Sequence, residues 1–209
     1  MFDIADIPMS GVSEEEKRTL AMRQHTNSGV KDKQEHYDCN RDVNKAMHPQ
    51  ALHPFLPNID VFAKHNHYNN IHGLFKLIAL SPKLPEDTLV NIHNFNVSDK
   101  KYNRAILSMD GKLCWVKHIE SALVVNTGDA LDFLTGKYYK GTIHGIVQPP
   151  QDQQQYTHPG VFYFTMPNDN DNLIPMCRSP LLQRVGINPC YEDRVQEETI
   201  NDVLVEHWI

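Results

Sequence analysis

The sequence predicts a mainly β core that follows a helical N-terminal region. Short apolar runs between Ala122 and Met166 are separated by turn-forming residues, and Asp110-Gly111 lies between two further apolar runs. Several short strands at such spacing are typical of an antiparallel sandwich or barrel. We therefore expect a helical and loop region over 1–100, a β core over 101–190 and a C-terminal tail over 191–209.

A capping box predicts the first helix. Ser13 stands three residues before Glu16, so its hydroxyl can accept a hydrogen bond at the start of a helix that we expect to run to about Arg23. The segment from Gln24 to Asn58 is polar and contains several X-Pro steps, each of which disfavours helix. We expect that segment to be a loop.

A longer helix is predicted between Asn58 and Pro82, because apolar and aromatic residues recur there at helical spacing. Pro85, followed by two acids, predicts a short helix to about His93. The predicted apolar stripe of the longer helix consists of Val61, Phe62, His65, Tyr68, Ile71, His72, Phe75 and Ile78.

The predicted core strands follow. They are Arg104–Leu107 and Leu113–His118 around the Asp-Gly turn, then Ala122–Asn126, Ala130–Leu134, Thr142–Val147 and Val161–Met166. Leu181–Ile187 is expected to be a strand or a buried segment, and Glu197–His207 a short terminal helix.

Composition excludes several classes of function. A formal net charge of −6 without any Lys/Arg block argues against nucleic-acid binding. The four cysteines form no CxxC pair, which argues against a disulfide scaffold and a thiolate zinc site. No apolar run is long enough to span a membrane, and the N-terminus lacks the pattern of a secretory signal. We expect a cytoplasmic protein that does not bind membranes.

Several motifs support a resemblance to a known family. In chain order they are Phe62–His67, Leu84–Asp87, Trp115–Glu120, Asn126–Asp129, Tyr138–Lys140 with Thr142–His144, Gly160–Phe164 and Ser179–Gly186. Over roughly residues 30 to 190 the chain resembles the fungal, isopenicillin-N-synthase-like branch of the 2-oxoglutarate/Fe(II)-dependent dioxygenases.

The resemblance implies a double-stranded β-helix core of jelly-roll type, incomplete in this chain, and an oxidoreductase of fungal secondary metabolism. Such enzymes use Fe(II), 2-oxoglutarate and O2 to oxidise a small organic substrate, and they hold the iron with a His-x-Asp/Glu pair and a distal histidine. By this resemblance His144 is the distal metal ligand. His158 stands where the family has the arginine that binds the co-substrate carboxylate.

Two departures leave an alternative open. The early strand that carries His-x-Asp in the family has no counterpart here; local matches are His36-Tyr37-Asp38 and His118-Ile119-Glu120. A histidine offers fewer hydrogen-bond donors than the arginine that it replaces. The alternative is a truncated, catalytically inactive family member that acts as a binding or pairing subunit, in which a protein partner covers the missing strand. The catalytic residues stay unknown at this point.

Overall fold

The computed structural model describes residues 1–20, 23–25, 31–96, 119–142, 151–153, 160–168, 171, 175–176 and 179–186. These residues belong to two compact units that alternate along the chain. The first unit contains residues 1–74, 94–96 and 160–165, and the second contains 75–93, 119–142, 151–153 and the described residues from 166 onwards. The predicted domain boundaries near 100 and 190 lie outside the described residues.

The first unit begins with two helices, α1 (Phe2–Ser10) and α2 (Glu14–Thr19). The predicted capping box is confirmed, because the Ser13 hydroxyl accepts a hydrogen bond from the Glu16 amide at 3.2 Å. Helix α2 ends earlier than predicted. The Glu16 carboxylate then accepts from the Gln50 amide at 2.9 Å, which ties α2 to the segment after residue 49.

The prediction of a loop from Gln24 to Asn58 is wrong in part. Strands β1 (Arg23–His25) and β2 (Lys31–His36) form an antiparallel pair in which Arg23 stands opposite His36 and His25 opposite Lys31. Two 3₁₀ helices follow, Val43–Lys45 and Gln50–Phe55. Short polar pieces of this kind carry no hydrophobic period, so the pattern could not reveal them.

The predicted long helix is confirmed, with one difference. Helix α3 (Leu56–His65) continues through a π-helical turn (Asn66–Ile71) into α4 (His72–Leu80). A π turn adds a residue to the helical turn and therefore shifts the side chains that face the core. The buried residues are accordingly Ala63, Asn66, His67, Phe75 and Ala79, whereas the predicted stripe residues Val61 and Tyr68 are exposed.

The second unit contains α5 (Thr88–Asn91), α6 (Asp129–Leu134) and α7 (Pro180–Arg184). Leu134 is buried with Ile92, Ala130, Phe133 and Met176 packed against it. The backbone fixes this contact, since the Met176 amide donates to the Leu134 carbonyl at 2.8 Å.

The prediction of a mainly β, jelly-roll core is wrong. Among the described residues the only sheet is the β1–β2 pair, and the expected strand at Ala130–Leu134 is helix α6. Leu181–Ile187 does not form a strand either, because α7 extends to Arg184. Residues 122–126 and 161–166 are neither helix nor strand. The predicted hairpin at 104–118 and residues 143–147 lie outside the described residues.

Local chemistry explains the two helices. Ser179 caps α7 by accepting from the Leu182 amide, and Pro180 occupies the first turn, where its missing N–H costs nothing. Asp129 and Asp132 lie in the first turn of α6, where negative charge suits the helix dipole. In short apolar runs these terminal signals outweigh a hydrophobic pattern that does not distinguish strand from helix.

No helix among the described residues has the length and apolar character required to cross a bilayer.

Candidate functional site

The residues that the sequence predicts as an iron site are not brought together in the described part of the chain. His144, His158 and His118 lie outside the described residues. His36 is the last residue of β2, while Asp38 and Glu120, the acids of the two local His-x-Asp/Glu matches, are both exposed.

Among the described histidines, cysteines and acids, no three side chains lie close enough together to hold a metal ion. The assignment of His144 as a ligand and of His158 to the co-substrate stays a prediction.

The most buried histidine lies in the first unit and is surrounded by rings. His67 has 0 % exposure, and its ring centroid is 5.0 Å from that of Tyr68, 4.8 Å from that of His72 and 5.3 Å from that of Phe95. All three contacts are edge-on, the geometry that aromatic quadrupoles favour. The His67 Nδ1 atom lies 3.0 Å from the Tyr163 hydroxyl.

This ring cluster serves packing. It joins the π turn to Phe95 and Tyr163, which are distant in sequence, and edge-on ring pairs of this kind contribute about 0.5–1.5 kcal/mol each beyond their buried area. The sequence indicated the histidines of the helix but gave no sign of Tyr163, which lies 96 positions away.

A second polar group in the first unit joins Tyr37 to His48. The His48 Nε2 atom lies 2.7 Å from the Val43 carbonyl, which can only accept, so Nε2 carries the proton. The Nδ1 atom lies 2.5 Å from the Tyr37 hydroxyl, within hydrogen-bond distance. Burial raises the pKa of Tyr37 above its ordinary range, and the nearby Cys39 raises it further. Tyr37 is therefore a fixed hydrogen-bond donor rather than a proton carrier at neutral pH.

Cys39 lies beside this pair and is not activated. Burial raises the pKa of its thiol to about 11, and the thiol donates to the Asn40 carbonyl at 3.3 Å. A nucleophilic cysteine needs a lowered pKa and an electropositive setting. Cys39 is therefore an unreactive thiol in this environment.

An open surface concavity of about 510 Å³ lies at the start of α3. It is lined by Met1, Ile4, Pro57, Asn58, Val61, Phe62 and His65. The lining offers one imidazole and no convergent set of polar groups, so it provides no basis for recognising a particular ligand.

The feature that departs most from an ordinary protein surface is in the second unit. Four large apolar side chains between residues 119 and 125 are exposed: Ile119 by 67 %, Leu123 by 68 %, Val124 by 71 % and Val125 by 57 %. Three of them are consecutive. In a half-buried strand alternate side chains would be covered, whereas here neither side of the segment is covered.

Part of the backbone of the same segment is also unused, beyond the turn in which the Ala122 amide donates to the Ile119 carbonyl at 3.3 Å. Within the part of the chain that the structure describes, the peptide groups of Leu123, Val124 and Val125 make no backbone hydrogen bond. The neighbouring Thr127 is anchored, because its carbonyl accepts from the Thr142 amide at 2.8 Å. We call residues 119–125 the apolar segment. Its last three residues combine peptide groups that have no backbone partner among the described residues with apolar side chains, two of them β-branched, and this combination favours pairing with another strand.

Comparisons with known proteins add no relative. No family model matches the chain, and neither a curated protein nor a solved structure is significantly similar to it.

Proposed function

We propose that the chain is a pairing subunit that binds a second copy of itself through the apolar segment. The supporting observation is the exposure of Leu123, Val124 and Val125, whose peptide groups also have no backbone hydrogen-bond partner in the described part of the chain. Contiguous exposed apolar residues mark interaction surfaces in soluble proteins, and an unpaired strand-forming segment recruits another strand.

Two copies are complementary in an antiparallel register centred on Val124. In that register Leu123 of one copy lies opposite Val125 of the other, and the two Val124 side chains lie opposite each other. Like charges directly opposite each other would disfavour the pair, and this register avoids them because Glu120 faces Gly128. Such pairing about a two-fold axis uses the same surface on both copies and is satisfied by two copies.

The expected affinity follows from the exposed area. Full burial of a Leu or Val side chain contributes about 1.5–3 kcal/mol, and six partly exposed side chains enter the pair. Association costs about 4–15 kcal/mol of lost freedom, so most of this gain is offset and we expect weak association, with a dissociation constant on the order of 10 µM, or about 7 kcal/mol.

Light scattering during size-exclusion chromatography tests the proposal. The wild-type chain is expected to change from monomer to dimer as its concentration rises through the micromolar range. Val124→Glu and Val124→Lys are each expected to remain monomeric, because each places two like charges opposite each other. An equal mixture of the two variants is expected to dimerise again, since each charge then meets its opposite.

Val185→Glu is the matched control, because Val185 is 58 % exposed in the same unit but lies outside the apolar segment. It should leave dimerisation unchanged. The proposal would be refuted if the wild-type chain stayed monomeric up to about 100 µM, ten times the expected dissociation constant. It would also be refuted if Val124→Glu formed a dimer.

The second candidate function is the oxidoreductase that the family resemblance implies, acting on a small organic substrate with Fe(II), 2-oxoglutarate and O2 in a cytoplasmic setting. The observation that favours it is the ordered series of motifs in the sequence, including Asn126–Asp129 and Tyr138–Lys140. Anaerobic calorimetry with Fe(II), with and without 2-oxoglutarate, tests it directly. Binding of one iron that is lost in His144→Ala and kept in His53→Ala would support the enzyme; a folded chain that binds no iron would exclude it.

A further inference from the structure

A buried cation in the first unit lacks a counter-charge. Arg41 is 7 % exposed, and its Nε, Nη1 and Nη2 atoms are each out of contact with solvent and without a hydrogen-bond acceptor among the described residues. An arginine side chain stays protonated in proteins, so the charge cannot be relieved by losing a proton. A group of this kind is costly to bury unless a partner compensates it.

Two acids of the first unit, Asp42 and Asp60, have other partners. The Asp42 Oδ1 atom accepts from the Asn44 amide at 3.1 Å and caps the 3₁₀ helix Val43–Lys45. Asp60 pairs with Lys64 at 2.7 Å. None of the ion pairs within the described ranges includes Arg41.

We propose that Arg41 anchors a binding site for the carboxylate group of a small molecule. The planar guanidinium presents paired N–H donors that match the two oxygens of a carboxylate. One carboxylate also balances the single positive charge, whereas phosphate carries more than one negative charge at neutral pH and would leave an excess buried. Because the three nitrogens are inaccessible, the ligand enters when the segment around Arg41 opens locally.

Thermal unfolding in acetate, with sodium chloride used to hold ionic strength constant, tests this site. The wild-type midpoint is expected to rise with the logarithm of the acetate concentration above the dissociation constant, by about 3–6 °C at ten times that constant. Arg41→Met is expected to abolish the response. Its midpoint without acetate should not fall below that of the wild type, because the substitution removes an uncompensated buried charge.

Two further variants separate anion binding from folding. Arg41→Lys keeps the charge but loses the fork, so calorimetry should give at least a tenfold weaker affinity for acetate. Arg18→Met removes an exposed arginine of the same unit and should respond as the wild type does. A wild type whose midpoint does not rise with acetate, or an Arg41→Met variant that still responds, would overturn the site.

Phosphate at the same ionic strength completes the experiment. A phosphate response as large as that of acetate, lost in Arg41→Met, would overturn the choice of a carboxylate. The inference does not depend on dimerisation, because the Val124 variants leave Arg41 unchanged and should keep the acetate response.

Discussion

Replacement of Ser179 by alanine isolates the energetic value of one buried hydroxyl. Ser179 is 1 % exposed, and its side-chain oxygen accepts from the Leu182 amide at 3.2 Å at the start of α7. The same hydroxyl donates to the Pro82 carbonyl. One oxygen atom therefore satisfies a helix N-terminus and an acceptor that lies 97 positions away in the sequence.

The expected loss is the sum of these two roles. Removal of an N-cap oxygen costs about 1 kcal/mol. A buried carbonyl left without a donor costs about 1–3 kcal/mol more. Ser179→Ala should therefore lower the free energy of unfolding by roughly 2–4 kcal/mol, which corresponds to a urea midpoint about 1–2 M lower.

Ser13→Ala is the matched control. Ser13 also caps a helix at 3.2 Å, from Oγ to the Glu16 amide, but it is exposed and has no second role among the described contacts. We expect Ser13→Ala to cost about 0.5–1 kcal/mol. Urea unfolding followed by far-ultraviolet circular dichroism gives both values. Equal losses in the two variants would refute the reasoning, because the Pro82 carbonyl would then have no measurable dependence on Ser179.

Two further predictions concern the thiol and the core. Because the pKa of Cys39 is raised from 9.0 to about 11, its thiolate fraction at pH 8 should be about 100-fold lower in the folded chain than in the unfolded chain. Peptide-resolved alkylation of Cys39 should therefore be about 100-fold slower in the folded chain. Equal alkylation rates in the two states would contradict the prediction. The stability that this shift contributes is fully present below pH 9 and is lost as pH rises through about 11. Leu134→Ala should lower the free energy of unfolding by about 2–5 kcal/mol, because Leu134 is 3 % exposed. Leu131→Ala should lower it by less, because Leu131 is partly exposed. A larger loss for Leu131→Ala than for Leu134→Ala in urea unfolding would disprove the described core.

Helices and helix caps were predictable where several residues give the same sequence signal. The helix that begins near Asn58 is specified by an apolar period over several turns, and Ser13 with Glu16 forms a cap that depends only on neighbours. The π turn at Asn66–Ile71 changes which residues face inward, and no local pattern announced it. The apolar period therefore predicted the helix and the burial of Phe75, but not the other residues of its buried face.

The strand predictions failed because short apolar runs are ambiguous. The apolar pattern of Ala130–Leu134 is compatible with a buried strand and with a helix. The residue that favours the helix is Asp129, which lies at the helix N-terminus. The spacing of apolar runs and turn-forming residues favoured the strand, and the family resemblance added the jelly-roll type. Neither signal distinguishes a short buried strand from a short helix in these residues.

The candidate sites were less predictable than the helices, because each depends on tertiary contacts. The Tyr37–His48 bond could not be distinguished from many other polar pairings in a loop, and the His67–Tyr163 bond joins residues far apart in sequence. Arg41 has no unusual sequence context at all. Its significance comes only from its burial, which a polar segment does not indicate.

The two proposals concern opposite departures from the usual distribution of polar and apolar groups. At Arg41 a charge is buried without compensation, and at Leu123–Val125 apolar side chains and peptide groups are exposed without cover. Each arrangement is unfavourable in the isolated chain, and each becomes favourable when a complementary group binds: a carboxylate in the first case and a second apolar segment in the second. Binding that relieves such a cost also stabilises the fold, so both interactions should raise the unfolding midpoint of the wild type. An increase caused by acetate should be absent in Arg41→Met, and an increase with protein concentration should be absent in Val124→Glu. If Arg41→Met and Val124→Glu each lost both increases, the two increases would reflect one general change in stability rather than two separate sites.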